Sequence, residues 1–526
     1  MGTSNGASAT NAVGAELAAV LPSNRIPWWK RGNLLRLNFT IFSLCLLSSA
    51  GGYDGSMMNG LLALPQWYVF MDNPTGSWLG FINAVYWLGM GISFPIAAPL
   101  SNKYGRKLGI YIGYVILVLG TILQTAAHNS ITFILGRFFL GVAGAWYGSN
   151  VPLLISEIAY PTHRGIASSL YNCGWYIGSL IAAWATFGTR NFGDSWCWRI
   201  PSVLQALLPL VALPGLLLTP ESPRWLVSVD RQEEALKILT ACHAGHDADS
   251  MALVNFEIVE IESTIASEKA AHESTSYMDM IKTKGNRRRL LISITLGVFG
   301  QWVGNGVVSY YLALVLKTVG ITSVTNQLLI SAALQIWNLI FAVVAAMCVD
   351  KLGRRTLFLG SASIMLVAFI IVTGLSGSFA ATGHAATGTT VIPFLFIFFA
   401  GYDIALTPLL VSYPCEIWPY RLRSRGLTVM WVTTIVAIFF NTFINPIALQ
   451  AIGWKYYFVF VAVCATYGIV AFFFYPETRG HSLEQMAIIF DGDDAELISP
   501  TETAQAAAAL GIKDSEKVAS GVTHIE

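Results

Sequence analysis

The sequence predicts an all-α membrane protein, with twelve transmembrane helices in two pseudo-symmetric six-helix bundles. Three observations carry this expectation. Of 526 residues, 54% are hydrophobic and 12% charged, whereas a soluble domain carries about 25% charged residues. Apolar runs of about 20 residues recur along the chain, each long enough to cross a bilayer as a helix. One short charged sequence also occurs twice, half a chain apart: Asn102-Lys103-Tyr104-Gly105-Arg106-Lys107 and Asp350-Lys351-Leu352-Gly353-Arg354-Arg355. Loops repeated at that distance mark a duplicated membrane bundle, an architecture typical of transporters.

The apolar runs fall near 36–60, 78–100, 108–127, 131–156, 166–188 and 200–218, then near 290–315, 326–349, 356–377, 391–415, 426–447 and 455–475. They are numbered spans 1 to 12. The expected organisation is a cytoplasmic N-terminal tail over 1–35 and a first bundle over 36–218. A cytoplasmic helical linker over 219–289, a second bundle over 290–475 and a cytoplasmic C-terminal tail over 476–526 follow. Basic residues set the orientation. Arg36, Lys103, Lys107, Arg164, Lys351 and Arg423 all fall in loops on one side, which is therefore expected to be cytoplasmic. The linker carries amphipathic stretches such as Arg231–Leu239, too short and polar to span. They are expected to brace the cytoplasmic side, the alternative being a plain connection.

The remaining composition narrows the function. The N-terminus is rich in Ala, Ser, Asn and Gly and has no apolar core near Met1, so it does not read as a cleaved signal peptide. The ends, 1 to about 30 and about 490 to 526, read as mobile tails. Seven cysteines show no metal-ligand spacing, and only Cys197 is expected in an outer loop. No GxxxxGK[ST] run is present, which argues against ATP drive. No enzyme, cofactor, metal or nucleic-acid signal emerges.

An ionisable residue within a span costs roughly 2.5–3.5 kcal/mol or more, so each one asks for a partner or a task. Asp54 on span 1 and Arg137 on span 4 each lie about 9 Å below the outer end of their span, at 1.5 Å per residue. They share a depth and carry opposite charge, which fits proton coupling; a static buried pair is the alternative. Asp403, near the middle of span 10, is placed to bond sugar hydroxyls or to carry a second proton, unless a neighbouring helix satisfies it. Arg106, Glu157 and Arg164, with Arg354, Glu416 and Arg425, stand at the inner ends of spans in the two halves. They suit a cytoplasmic gate, or simply topological anchoring.

Span 7 carries Gly300-Gln301-Trp302-Val303-Gly304-Asn305-Gly306 and then Tyr310. The glycines loosen the helix, while Gln301, Asn305 and Tyr310 present amides and a ring. Asn172 and Ser179 on span 5, Asn338 on span 8 and Asn441 on span 11 add neutral polar groups. Amides offer donors and acceptors together, which suits a ligand covered in hydroxyls. Trp302 offers a face for a sugar ring. Each single amide serves equally for interhelical bonding.

These motifs, over about residues 36–485, resemble those of the major facilitator superfamily. Pro220-Glu221-Ser222-Pro223-Arg224-Trp225, Pro476-Glu477-Thr478-Arg479-Gly480 and Gly136-Arg137…Glu157…Arg164-Gly165 are similar to its sugar-porter branch. The resemblance implies two six-helix bundles around a central cavity, working by alternating access. It implies that Asp54 and Arg137 match a proton-coupling pair, and that Gln301, Asn338 and Asn441 match sugar contacts. Asn172 stands where many members have glutamine. The chain also departs from the pattern. Asn102 replaces the usual aspartate, Asn305 comes one residue early with Gly306 in its place, and Leu406 replaces a tryptophan. Ala437-Ile438 stand near the missing Asn-Trp pair, and the first external loop is short.

Gly52–Gly60, Tyr402–Pro408 and Tyr413–Pro419 look most like fungal lactose and cellobiose permeases. The expectation is a plasma-membrane, proton-coupled disaccharide symporter, with both termini cytoplasmic and acting as a monomer. Its partners would be a small-molecule sugar, the proton and the lipid bilayer. A monosaccharide uniporter or symporter, or a non-transporting sugar sensor, is the alternative.

Overall fold

The structure, a computed structural model, describes residues 21, 27–245, 250–274, 276–479, 486 and 489–491. The side chain of Asn172 and most of both expected tails lie outside the described residues. The first half holds span 1 (Gly32–Leu61), span 2 (Gly76–Tyr104), span 3 (Arg106–Thr125), span 4 (Ser130–Ile158) and span 5 (Arg164–Thr189). Its span 6 comes in two pieces, Trp196–Leu204 and Leu207–Leu218. The second half begins with a divided span 7, Lys284–Trp302 and Asn305–Thr318. Span 8 (Val324–Leu352), span 9 (Arg354–Thr382), span 10 (Ala385–Ile417), span 11 (Tyr420–Ile452) and span 12 (Tyr457–Phe474) follow. The result is the twelve-helix major facilitator fold. Cys197 is not in a loop: it lies in the first piece of span 6 and is fully buried.

Local chemistry sets the helix ends. Asn129 caps span 4, its Oδ1 accepting from the Thr132 N–H at 2.8 Å. Thr283 caps span 7 in the same way through the Asn286 N–H. Span 7 breaks where Gly304 takes φ +112°, a value that favours glycine, and where a Cβ would lie 2.4 Å from the Phe369 ring. Apolar side chains such as Phe42, Val115, Ile122, Ile370 and Phe473 stay exposed on the outside of the bundle, as a lipid-facing surface requires.

The halves meet along spans 2 and 11 and along spans 5 and 8. On the face away from the basic loops, cross-half bonds seal the bundle. Asn59 Nδ2 donates to Ser331 Oγ at 3.1 Å, and Arg190 Nε donates to Thr325 Oγ1 at 3.3 Å.

The linker forms helices Pro223–Ser228, Gln232–Leu239, Met251–Ser274 and Asp279–Lys282, with a wider turn over Thr240–Ala244. His243, buried, pairs through Nδ1 with Glu257 at 2.6 Å, and its Nε2 donates to the last-turn carbonyl of Ile158 on span 4. The linker is thus docked on the basic face of the first half. Under the second half, Arg289 is only 1% exposed; it pairs with Asp491 at 2.8 Å and donates from Nε to Ile417 O.

Candidate transport site

A cavity of 530 Å³ lies between the halves, within the usual range for a small-molecule site. Its wall runs from mid-span toward the basic face, from Asp54 on span 1 through Tyr86 to Met90 on span 2 and down to Ser412 on span 10. Ser179, Gln301, Asn305, Tyr310, Gln335 and Asn338 supply polar groups, and Trp175, Tyr402 and Trp431 supply rings. Asp54 is the only charged side chain among the described lining residues.

Asp54 and Arg137 meet, as their common depth predicted. Arg137 Nη1 donates to Asp54 Oδ1 at 3.1 Å. Its Nε holds Ile82 O at 2.9 Å and its Nη2 holds Asn83 O at 3.4 Å. The guanidinium is thereby fixed to span 2, while the carboxylate borders the cavity. Asp54 Oδ2 is buried with no hydrogen-bond partner. A buried pair of this kind costs about 3–5 kcal/mol to break from one side.

The expected sugar contacts divide. Gln301, Asn305, Asn338 and Ser179 border the cavity, and the Oδ1 atoms of Asn305 and Asn338 are buried without partners. Asn305 Nδ2 donates to Tyr402 OH at 3.2 Å, and Ser179 Oγ to Gly52 O at 2.9 Å. Trp302 turns to span 11, donating from Nε1 to Ala437 O at 3.0 Å and stacking on Phe440. Asn441 donates to the Gln301 carbonyl. Asp403 is fully buried behind Tyr176 and Thr407, which themselves border the cavity.

On the basic face, two glutamates of the proline-containing motifs cap span 3 and span 9. Glu221 accepts from the Arg106 and Lys107 N–H groups at 3.1 Å each. Glu477 accepts from the Arg354 and Arg355 N–H groups at 2.8 and 3.0 Å. Both cap the positive end of a long helix. Beside them, Arg106 Nε stands 3.6 Å from Glu157, and Arg354 forks onto Glu416 at 3.0 and 3.2 Å. Each of these pairs lies within one half. Arg164 and Arg425 turn to the linker, Arg164 to Glu257 at 4.0 Å and Arg425 over the Tyr277 ring at 5.5 Å.

The protein-family model described as sugar (and other) transporter matches residues 40–490. The chain belongs to that family. The transporter's fold and family are those of carriers, not enzymes. Sugar transporter STL1 of Saccharomyces cerevisiae is 29% identical to it over 477 residues, 88% of this chain and 82% of that one. The glucose transporter mfs1 of Aspergillus flavus is 26% identical over 483 residues, 86% and 90% of the two chains. The inward-open xylose transporter XylE of E. coli superposes with a TM-score of 0.70 at 22% identity, over 87% of this transporter and 99% of XylE. XylE bound to 6-bromo-6-deoxy-D-glucose, described as a proton:xylose symporter, superposes with a TM-score of 0.69. These relatives place the transporter among sugar carriers in general, a wider group than lactose and cellobiose permeases.

Several site residues escaped sequence reasoning. Tyr176 and Gln335 gave no signal, and Tyr402 and Thr407 stood out only as members of the Tyr402–Pro408 stretch. The spacing of Asp403 and Thr407, one helical turn apart, was the one clue to that pair.

Proposed function

We propose that this protein is a proton-coupled sugar symporter that carries a disaccharide by alternating access. The cavity supports this reading above all: neutral amides and rings line it, and one carboxylate borders it with a free oxygen. The amides bond sugar hydroxyls, the rings cover apolar ring faces, and among the described lining residues no fixed cation calls for an anionic substrate. A proton taken on Asp54 Oδ2 neutralises the partner of Arg137 and loosens the contact between span 1 and span 4. Loss of that charge permits the halves to rock about the cavity.

The basic face is assigned to the cytoplasm of a cell whose plasma membrane the protein crosses as a monomer, with both ends inside. The seal on the opposite face then makes this an inward-facing form. Arg106–Glu157 and Arg354–Glu416 stiffen the two halves at the cytoplasmic gate, and Arg164 and Arg425 link that gate to the linker. The disaccharide reading rests on the cavity wall, where Leu406 stands in the place of the usual tryptophan and Ile438 near the missing Asn-Trp pair. A second reading, a glucose or hexose carrier, is favoured by relatives whose names carry those sugars.

Uptake of labelled lactose, cellobiose and glucose in a transport-null cell, with and without a protonophore, tests both. Uptake of glucose alone rejects the disaccharide. One proton driven by ~100 mV supplies about 2.3 kcal/mol, a roughly fifty-fold sugar gradient. In Asp54→Asn accumulation should fall by about that factor while counterflow persists; accumulation unchanged from wild type would sink the coupling role.

A further inference from the structure

Asp403 is a buried acid for which sugar binding leaves no task. It sits in the middle of span 10 with no exposed surface. Its Oδ1 accepts from Tyr176 OH at 2.7 Å and from Thr407 Oγ1 at 2.9 Å. The two hydroxyls are themselves 2.9 Å apart, so the three groups close a triangle. Oδ2 is buried without a partner. Tyr176 belongs to span 5 and Asp403 to span 10, so the 2.7 Å bond joins the two halves at mid-bilayer. Tyr176 and Thr407 border the sugar cavity, and the acid lies behind them.

The ionisable groups that face Asp403 are phenols. Tyr176 comes from span 5 and Tyr402 from its own helix; Tyr310 of span 7 and Tyr467 of span 12 lie next to Tyr402. Among the described interactions, spans 8, 9 and 11 present no charged group to it. A buried carboxylate is costly without a cation or a full set of donors. Two hydroxyls on one oxygen are a partial set, and they also lead to the cavity.

We propose that Asp403 is a second proton-binding site of the transport cycle, loaded through the hydroxyls of Tyr176 and Thr407. On loading, the Tyr176 hydrogen passes to Asp403 Oδ1 and a proton from the cavity re-forms the phenol O–H. An O–H bond is gained on the acid and nothing is oxidised or reduced. Release runs the same steps in reverse. The neutral acid binds Tyr176 without charge assistance, so loading weakens the mid-bilayer tie between the halves. A hydrogen bond to an ion is roughly twice as strong as a neutral one, so the proton state of Asp403 sets how firmly the halves are joined.

This inference rests on the symport reading, and the ratio of protons to sugar separates the two. Proton influx and labelled-sugar influx are measured in the same transport-null cells, with whichever of lactose, cellobiose and glucose the full-length wild type accumulates. The expected ratio is two for wild type and one for Asp403→Asn, whose counterflow persists. Asp54→Asn likewise drops to a ratio of one, through loss of the other proton. A wild-type ratio of one, or a ratio of two retained in Asp403→Asn, overturns the second site and leaves the Asp54 role standing. A ratio of zero overturns both. Should Asp403→Asn fail to reach the membrane, Tyr176→Phe, which removes the relay hydroxyl, is expected to give a ratio of one, and a ratio of two retained there overturns the site.

Discussion

The two capped loops on the basic face are one device held in two settings. In both, a glutamate from beyond the sixth helix of its half accepts the first N–H groups of the third. Both loops turn on a glycine, Gly105 at φ 102°, ψ 159° and Gly353 at φ 88°, ψ 150°, a region that is essentially glycine's alone. The side chains around them differ. Arg106 donates to Asn102 Oδ1 at 2.7 Å and only approaches Glu157, whereas Arg354 grips Glu416 with two nitrogens. The acids differ too. Burial pushes Glu221 up, and N–H groups of Ser222, Lys107 and Arg106 do not cancel it, so the acid titrates above its usual range. Burial also pushes Glu477 up, but four N–H groups, of Arg479, Arg354, Arg355 and Thr478, outweigh it and hold the acid below its usual range. Duplication has kept the backbone geometry and let the electrostatics drift.

The largest test of this contrast removes what the loops share. In Gly105→Ala and Gly353→Ala the new Cβ meets a glutamate oxygen at 2.5 and 2.7 Å, in a backbone conformation alanine resists. Each should lose ~1–3 kcal/mol, read as a lower melting temperature of the purified carrier. The loss should be greater at Gly105, where the Trp225 ring also stands 3.4 Å away. Wild-type melting in both variants would deny the loops any structural weight.

A smaller effect separates the acids. The stabilisation from Glu477 is present above the unfolded carboxylate range and is lost as pH falls through its lowered value. That from Glu221 is fullest below the unfolded range and is lost as pH rises through its raised value. Glu477→Gln should therefore cost about 1 kcal/mol near neutrality and fade as the medium is acidified. Glu221→Gln should cost less near neutrality and gain nothing from acid. Melting curves recorded from ~pH 4 to 7 check this, and parallel curves for the two variants would remove the contrast.

The smallest effect comes from Asn102→Asp. It turns the bond to Arg106 into an ion pair at an exposed site, worth about 0.2–1 kcal/mol. The first loop should tighten and the initial rate of sugar uptake fall. An unchanged rate would leave the difference at position 102 without consequence for transport.

The spans were readable because bilayer thickness imposes apolar runs. Their ends were not: span 11 runs over 420–452, beyond the expected 426–447, since helices continue past the hydrocarbon. The Asp54–Arg137 contact followed from equal depth and opposite charge. Trp302 and Asn441 carry the chemistry of a sugar contact but turn to neighbouring helices, which residue type cannot reveal. The Glu221 and Glu477 caps join segments 115 and 123 residues apart, so their motifs were visible while their partners were not. Tyr176 resembles any aromatic on an apolar helix until span 10 is laid against it.

The salt bridge between Arg289 and Asp491 also bears on how this carrier can be labelled. Asp491 is the carboxylate that holds a nearly sealed guanidinium, with Asn286 Oδ1 and Ile417 O as the other acceptors. Cutting the chain ahead of Asp491 would strand that cation, at about 3–5 kcal/mol. A fluorescent or affinity domain fused at the C-terminal side therefore keeps this pair when the chain is retained through Asp491. One that replaces the chain from before Asp491 would report on a damaged second half.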